Sequence, residues 1–152
     1  MSVRPEVTFH FNVADPLHYL CRLLRKVDQA GLNALVCAPP ELARALDVAL
    51  WAFAQESFIP HAAWNGAAAL QAHSPILIAD QAVEWPGAQV LVNALPLTGL
   101  PPGCPGYAKV VEVVSLDAQE REAARQRWRA YTANGYVLRR HDAAQAGNVA
   151  SS

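Results

Sequence analysis

A short, wholly apolar run from Ala34 to Ala38 constrains the fold of this chain more than any other stretch. Uninterrupted apolar residues over this length are typical of a strand buried on both faces of a parallel sheet. A helix is predicted before it, because Asp15 offers an N-cap and Pro16 occupies the first helical position. The alternating segment from Val7 to Val13 predicts a strand before that helix. Strand, helix and strand in this order imply a right-handed crossover and a parallel sheet.

The same pattern continues along the chain. Further strands are predicted at Ile76 to Ala79, Gln89 to Asn93 and Lys109 to Val114, and helices at Glu41 to Ala52 and about Asp117 to Asn134. The predicted fold class is therefore α/β. We expect a single Rossmann-like domain with a mostly parallel sheet of about five strands and helices on both faces.

Other segments carry weaker signals. The stretch from Ala54 to Pro75 predicts no regular structure beyond a turn at Trp64-Asn-Gly, and Leu97 to Gly106 reads as an irregular loop rich in proline and glycine. Tyr136 to Leu138 could add a short edge strand. We expect residues 1–142 to form the domain and residues 143–152 to form a flexible C-terminal tail.

Composition excludes several classes of protein. The 152 residues are 53% hydrophobic and 16% charged, which is typical of a globular domain with one core. No run approaches the roughly 18 to 20 apolar residues of a membrane span, and the N-terminus has no signal-peptide core. The three cysteines form no Cys-x-x-Cys pair, which favours reduced thiols. We therefore expect a cytoplasmic protein that does not bind membranes.

The usual cofactor and metal motifs of α/β proteins are missing. The segments after the first two strands, residues 12–16 and 38–41, contain no glycine and so cannot cradle a phosphate closely. Histidines are scattered without ligand spacing, so no cofactor and no metal are expected. A catalytic set of nucleophile, base and orienting group could be assembled from His61, Asp80 and Cys104. A structural role is favoured for each of them.

The last predicted helix carries the clearest functional signal. Residues 1–116 have six Lys or Arg against nine Asp or Glu, whereas residues 117–152 have six Arg against four Asp or Glu. At 100° per residue, about a third of the helix surface is shared by Arg121, Arg125, Trp128, Arg129 and Thr132. A charge run alone usually marks a solvated face, but an exposed tryptophan among arginines favours a binding surface for an apolar, anionic partner.

The opposite side of this helix is predicted to meet the sheet. It carries Ala123, Arg127, Ala130 and Tyr131. The aliphatic stem of Arg127 is expected to lie along the sheet while its guanidinium reaches solvent.

A second candidate surface lies between Leu46 and His61. Trp51 and Phe58 lie near the end of a predicted helix and in the loop that follows it. Both aromatics could fill the core, as large aromatics usually do, or anchor a protein partner. Periodicity does not separate these two alternatives.

Two blocks of residues resemble the chi subunit family of bacterial DNA polymerase III. The first combines Leu-Asp-x-Ala-Leu-Trp at Leu46 to Trp51 with Glu-Ser-Phe-x-Pro-His at Glu56 to His61. The second combines Glu-Val-Val at Glu112 to Val114 with Arg-x-Arg-aromatic-basic-Ala-Tyr-x-x-x-Gly-aromatic at Arg125 to Tyr136. The chain departs from the family pattern in carrying Trp128 where tyrosine is expected.

The resemblance implies a non-catalytic adaptor of the clamp-loader assembly with a Rossmann-like fold. It implies binding of the acidic, Phe-ended C-terminal tail of single-stranded DNA-binding protein by a pocket comprising Arg121, Arg125, Trp128, Arg129 and Leu116. The arginines would meet the carboxylates of the tail, and the apolar part of the pocket would take the Phe. The resemblance also implies binding of the psi subunit, or of a helicase that uses the same surface in some relatives, by Trp51 and Phe58.

Two rival functions remain open from the sequence. One is a small α/β enzyme with a ligand site at the carboxyl ends of the strands, which the missing glycine loops disfavour. The other is direct nucleic-acid binding by the arginines. We expect little or none, because the rest of the chain is acidic and few aromatics interleave with the arginines.

Overall fold

A computed structural model of the chain describes residues 4–52, 59–64 and 76–144. In those residues seven strands form one sheet in which all neighbouring strands run parallel. The strands are β1 (Glu6–Val13), β2 (Ala34–Cys37), β3 (His61–Ala63), β4 (Ile76–Ala79), β5 (Val90–Asn93), β6 (Lys109–Ser115) and β7 (Leu138–Asp142). The helices are α1 (Pro16–Gln29), α2 (Pro40–Ala52) and α3 (Ala118–Ala133). The strand order is β3-β4-β2-β5-β6-β1-β7.

Side-chain caps begin two of the helices. The Asp15 carboxylate accepts a hydrogen bond from the backbone N–H of His18 at 3.1 Å, as the predicted N-cap requires. The Asp117 carboxylate accepts one from the backbone N–H of Glu120 at 3.0 Å in the same way. After α3 the chain turns at Gly135 with φ of 81°, which glycine adopts without steric cost.

Helices cover both faces of the sheet, and each face has its own apolar cluster. Consecutive residues of the central strands alternate between the two clusters, as the pleat of a strand dictates. The cluster under α1 and α2 includes Leu20, Leu24, Val36, Leu46, Leu50, Val92 and Val111. The cluster under α3 includes Phe9, Leu35, Leu91, Val110, Val114 and Tyr131. The prediction of an α/β domain with helices on both faces is confirmed.

The sheet has seven strands where about five were expected, and the two additions lie at its edges. β3 falls in the stretch predicted to lack regular structure and pairs with β4. β7 runs from Leu138 to Asp142, beyond the edge segment predicted to end at Leu138. The sequence of β7, Leu-Arg-Arg-His-Asp, shows no apolar alternation. Charged residues of this kind are common on edge strands. Main-chain pairing with β1 therefore defines β7.

The predicted loops and the predicted tail can be compared with the structure in part. The loop from Leu97 to Gly106 contains one short 3₁₀ turn, Cys104–Gly106, where no regular structure was predicted. The asparagine and glycine of the predicted turn after Trp64, and most of the predicted tail, lie outside the described residues.

Candidate functional site

A basic cleft lies between α3 and the edge of the sheet formed by β6, β1 and β7. Its volume is about 440 Å³, which is within the range of pockets that hold small ligands or a few peptide residues. We use "basic cleft" for the site lined by Phe9, Phe11, Val114, Arg121, Ala124, Arg125, Trp128, Arg129 and Arg140. Four of these nine residues are arginines and none carries a carboxylate, so the cleft favours an anionic ligand.

One wall of the basic cleft is the exposed face of α3. Arg121, Arg125 and Arg129 follow one another at four-residue spacing, so their side chains project from the same side of the helix. The carboxylate of Glu122 lies 2.9 Å from Nη1 of Arg125, and more than half of each side chain is exposed. This pair screens one of the three cations without burying it.

The floor of the basic cleft is aromatic and aliphatic. Phe9 and Phe11 project from β1, and Val114 projects from β6 on the same face of the sheet. The ring centroid of Trp128 lies 5.2 Å from that of Phe9, and the two planes are inclined by 59°. Trp128 is therefore half-buried against the sheet, whereas the sequence predicted an exposed side chain. Its remaining surface supplies the apolar part of the site.

The second wall of the basic cleft is β7. Arg140 places its guanidinium carbon 4.9 Å from the ring centroid of Phe11, within the range of a cation–π contact. Arg140, Phe9, Phe11, Val114 and Ala124 were not predicted as site residues. The period of two along β1 could have placed Phe9 and Phe11 on one face, but the polar sequence of β7 gave no signal that could place Arg140.

A buried polar network lies on the sheet side of α3. Glu112 of β6 accepts hydrogen bonds from Arg127 Nε at 3.0 Å, Tyr131 Oη at 2.7 Å and Asn93 Nδ2 at 2.9 Å. Nη1 of Arg127 donates to the Leu97 carbonyl at 2.7 Å. The prediction that Arg127 reaches solvent is therefore wrong, since its side chain is 2% exposed. A counter-charge and a carbonyl in the interior remove the need to reach water.

The protonation of this network follows from its burial. Desolvation raises the pKa of Glu112, and the charge of Arg127 with the hydrogen bonds from Asn93 and Tyr131 opposes that rise. Desolvation together with the Glu112 charge raises the pKa of Tyr131, which keeps its hydroxyl protonated as a donor. The network thus ties α3 to β6 and fixes which side of the helix faces outward.

Two other predicted site residues lie away from the basic cleft. Leu116 is 54% exposed, directly before the N-cap of α3, and it is not among the residues that line the cleft. Trp51 is 60% exposed near the end of α2, with its ring centroid 5.2 Å from that of His61. Phe58 lies outside the described residues. The structure thus brings Arg121, Arg125, Trp128 and Arg129 together but leaves Leu116 and Trp51 outside the cleft.

The catalytic arrangement considered for His61, Asp80 and Cys104 has no support in the geometry. His61 Nε2 lies 3.2 Å from the carboxylate of Asp47, and its Nδ1 lies 2.7 Å from the Ile59 carbonyl oxygen. Cys104 is buried in the cluster under α3, whereas Asp80 is exposed. Within the described residues no group of three or more His, Cys, Asp or Glu could hold a metal ion.

Comparison with known proteins identifies the family. Residues 5–139 match the model of the family described as DNA polymerase III chi subunit, HolC. The chain belongs to the DNA polymerase III chi subunit family. A relative from Pseudomonas aeruginosa, DNA polymerase III subunit chi, is 36% identical over 133 residues, which cover 84% of this chain and 89% of the relative. The resemblance carried by the two sequence blocks is confirmed, and family membership makes the chain an accessory subunit of DNA polymerase III.

A solved structure shares the fold. The C-terminal domain of the DEAD-box protein Dbp5 superposes with a TM-score of 0.53 over 91% of this chain and 89% of that chain. The sequence identity is 15%, so the likeness concerns the fold alone. In the described part of the chain, no helix is long and apolar enough to cross a membrane.

Proposed function

We propose that this chi-family subunit is an adaptor that links the replicase to the acidic C-terminal tail of single-stranded DNA-binding protein. The observation that carries the proposal is the composition of the basic cleft. Its floor is aromatic, its walls carry arginines, and no residue that lines it has a carboxylate. Such a site suits a peptide that ends in an aromatic residue among acidic ones, because the floor can take the ring while guanidinium groups pair with carboxylates.

The proposal assigns a role to each part of the cleft. Arg125 and Arg129 of α3 pair with carboxylates of the tail, and Arg121 extends the positive field along the helix. Trp128 and Phe9 supply the apolar contact for the terminal ring. Leu116 lies exposed beside the N-terminus of α3, where it would contact a longer tail segment.

The test is fluorescence anisotropy of a labelled peptide from the tail of single-stranded DNA-binding protein. It is titrated with the wild type and with Arg125→Ala at two salt concentrations. Arg44→Ala is the matched control, because Arg44 is an exposed arginine on α2, which covers the opposite face of the sheet. We expect binding that weakens with salt, falls about tenfold or more in Arg125→Ala and is unchanged in Arg44→Ala. Absence of binding by the wild type would exclude the adaptor function.

A second partner surface is proposed around Trp51. Val48 and Trp51 are 65% and 60% exposed, and both lie on α2, which covers the face of the sheet opposite the basic cleft. Exposed apolar side chains of this size favour a protein contact. We assign this surface, together with Phe58, to the psi subunit or to a helicase that uses it in place of psi. Co-purification with psi should be lost in Trp51→Ala and kept in Arg125→Ala, and the opposite result would exclude this assignment.

A further inference from the structure

We propose that Arg140 is an additional recognition residue of the basic cleft, which contacts an anionic group of the bound peptide from the strand side. The cleft then engages anionic groups from two walls, α3 on one side and β7 on the other. The inference rests on the proposed function, because it names a further contact for the same acidic peptide.

The register of the sheet directs Arg140 into the cleft. β7 pairs in parallel with β1, and the Cα of Arg140 lies opposite that of Phe9. Side chains at paired positions project from the same face of the sheet. Phe9 faces α3 and contacts Trp128, so Arg140 also projects toward α3 and lines the cleft.

The contact with Phe11 prepares Arg140 for this role. A guanidinium within 4.9 Å of a ring centroid is held over the aromatic floor. All N–H donors of a guanidinium lie in its own plane, so a group held over a ring keeps donors available for a carboxylate. The side chain therefore gives up little conformational freedom when a ligand arrives.

The nearest carboxylate on the same strand is already engaged. Asp142 lies two residues beyond Arg140, and its Oδ1 accepts hydrogen bonds from Asn12 Nδ2 at 3.2 Å and from the backbone N–H of Ala144 at 3.0 Å. Within the described residues Arg140 forms no salt bridge. An anionic ligand in the cleft would supply the counter-charge.

The preceding residue provides a matched control. Arg139 is also exposed but projects from the other face of the sheet, and its Nε lies 3.0 Å from the Glu6 carboxylate. Arg139 and Arg140 thus share the strand, the charge and the side chain, and they differ in the face they occupy. A difference between variants at these positions reports on the cleft and not on net charge.

The test compares Arg140→Ala with Arg139→Ala in the full chain, with a labelled acidic peptide that ends in a run of aspartates and a C-terminal Phe. We expect Arg140→Ala to weaken binding about fivefold or more at low salt and to reduce its salt dependence, while Arg139→Ala stays within about twofold of the wild type. Arg140→Lys should retain part of the affinity, since it keeps the charge. Unchanged urea midpoints would show that the variants are folded.

Two neutralised peptides identify the group that Arg140 meets. One carries asparagines in place of the aspartates, and the other carries a C-terminal amide. Loss of the Arg140→Ala effect with either peptide supports the contact. An effect that persists with both, or Arg140→Ala binding as well as Arg139→Ala, would overturn the inference and leave the proposed function standing. Absence of peptide binding by the wild type would overturn both.

Discussion

Arg127 Nε donates to Glu112 Oε1 across 3.0 Å in the interior, although the neighbouring arginines of α3 are exposed. The pair divides the arginines of the helix into two kinds. Arg127 fixes α3 on the sheet, and Arg125 and Arg129 are presented on the opposite side. The orientation of the basic cleft therefore depends on a buried ion pair that is not part of the cleft lining.

The first prediction separates these roles by stability. Arg127→Ala leaves the Glu112 carboxylate buried without its counter-charge, which should reduce the free energy of unfolding by about 3 to 5 kcal/mol. Arg125→Ala should change it by less than about 0.5 kcal/mol, because that side chain is mostly exposed. Urea denaturation of the two variants checks this. Equal urea midpoints for the two variants would contradict the distinction between a buried structural Arg127 and an exposed Arg125.

The second prediction concerns the aromatic side chain of the cleft. Trp128→Ala removes apolar surface that packs on Phe9 and should weaken binding of the acidic tail peptide about tenfold or more. Trp128→Tyr keeps an aromatic ring in the same place and should bind within about threefold of the wild type. Isothermal titration calorimetry measures both affinities. Unchanged affinity in Trp128→Ala would show that the ring makes no contact with the ligand.

The third prediction uses the ion pair on the surface of α3. Glu122 competes with a ligand for Arg125, so Glu122→Gln should tighten binding of the tail peptide about twofold, as loss of a weak surface pair implies. Glu41→Gln on α2 removes the same charge on the other face of the protein and is the control. If both variants tighten binding equally, net charge explains the effect and the pair does not.

The fourth prediction is a pH dependence of stability. Burial, with the charges of His141, Lys109 and Lys26, lowers the pKa of His10 from 6.5 to about 4, and a hydrogen bond joins its Nδ1 to the Tyr19 hydroxyl. Between pH 6.5 and pH 4 the unfolded state binds more protons than the folded state, so the free energy of unfolding falls as the pH drops through this range. The loss should be on the order of 1 to 2 kcal/mol, because His10 is only partly buried.

Urea midpoints at pH 7 and pH 4 measure this loss. His10→Gln should be less stable than the wild type at pH 7 but should show a weaker dependence on pH, because it lacks the titrating group. Parallel pH profiles for the two proteins would assign the dependence to other residues.

Much of the fold follows from local patterns. The apolar run of β2 and the cap at Asp15 predicted buried strands and helix starts that the structure contains. Helical periodicity placed Arg121, Arg125 and Arg129 on one side of α3, where they line one wall of the cleft. Periodicity succeeds here because it depends only on neighbours within the same element.

The parts that were missed depend on contacts between distant elements. Glu112 and Arg127 are 15 residues apart, and nothing local distinguishes a buried arginine from an exposed one. β7 is a strand only because β1 offers its main-chain groups, so its polar sequence concealed the wall that carries Arg140. The sequence therefore offered an edge segment that ended at Leu138, but it did not predict the polar part of β7 from Arg139 to Asp142 or the buried ion pair.

The most direct test of the basic cleft is a heteronuclear NMR titration of the labelled protein with the acidic tail peptide. Trp128 lies in the basic cleft, whereas Trp51 is exposed on α2, which covers the opposite face of the sheet, so their indole N–H signals distinguish the two surfaces. We predict that the Trp128 signal and amides of α3, β1 and β7 shift on binding, while the Trp51 signal stays in place. Shifts centred on Trp51, with Trp128 unchanged, would contradict the assignment of the tail to the basic cleft.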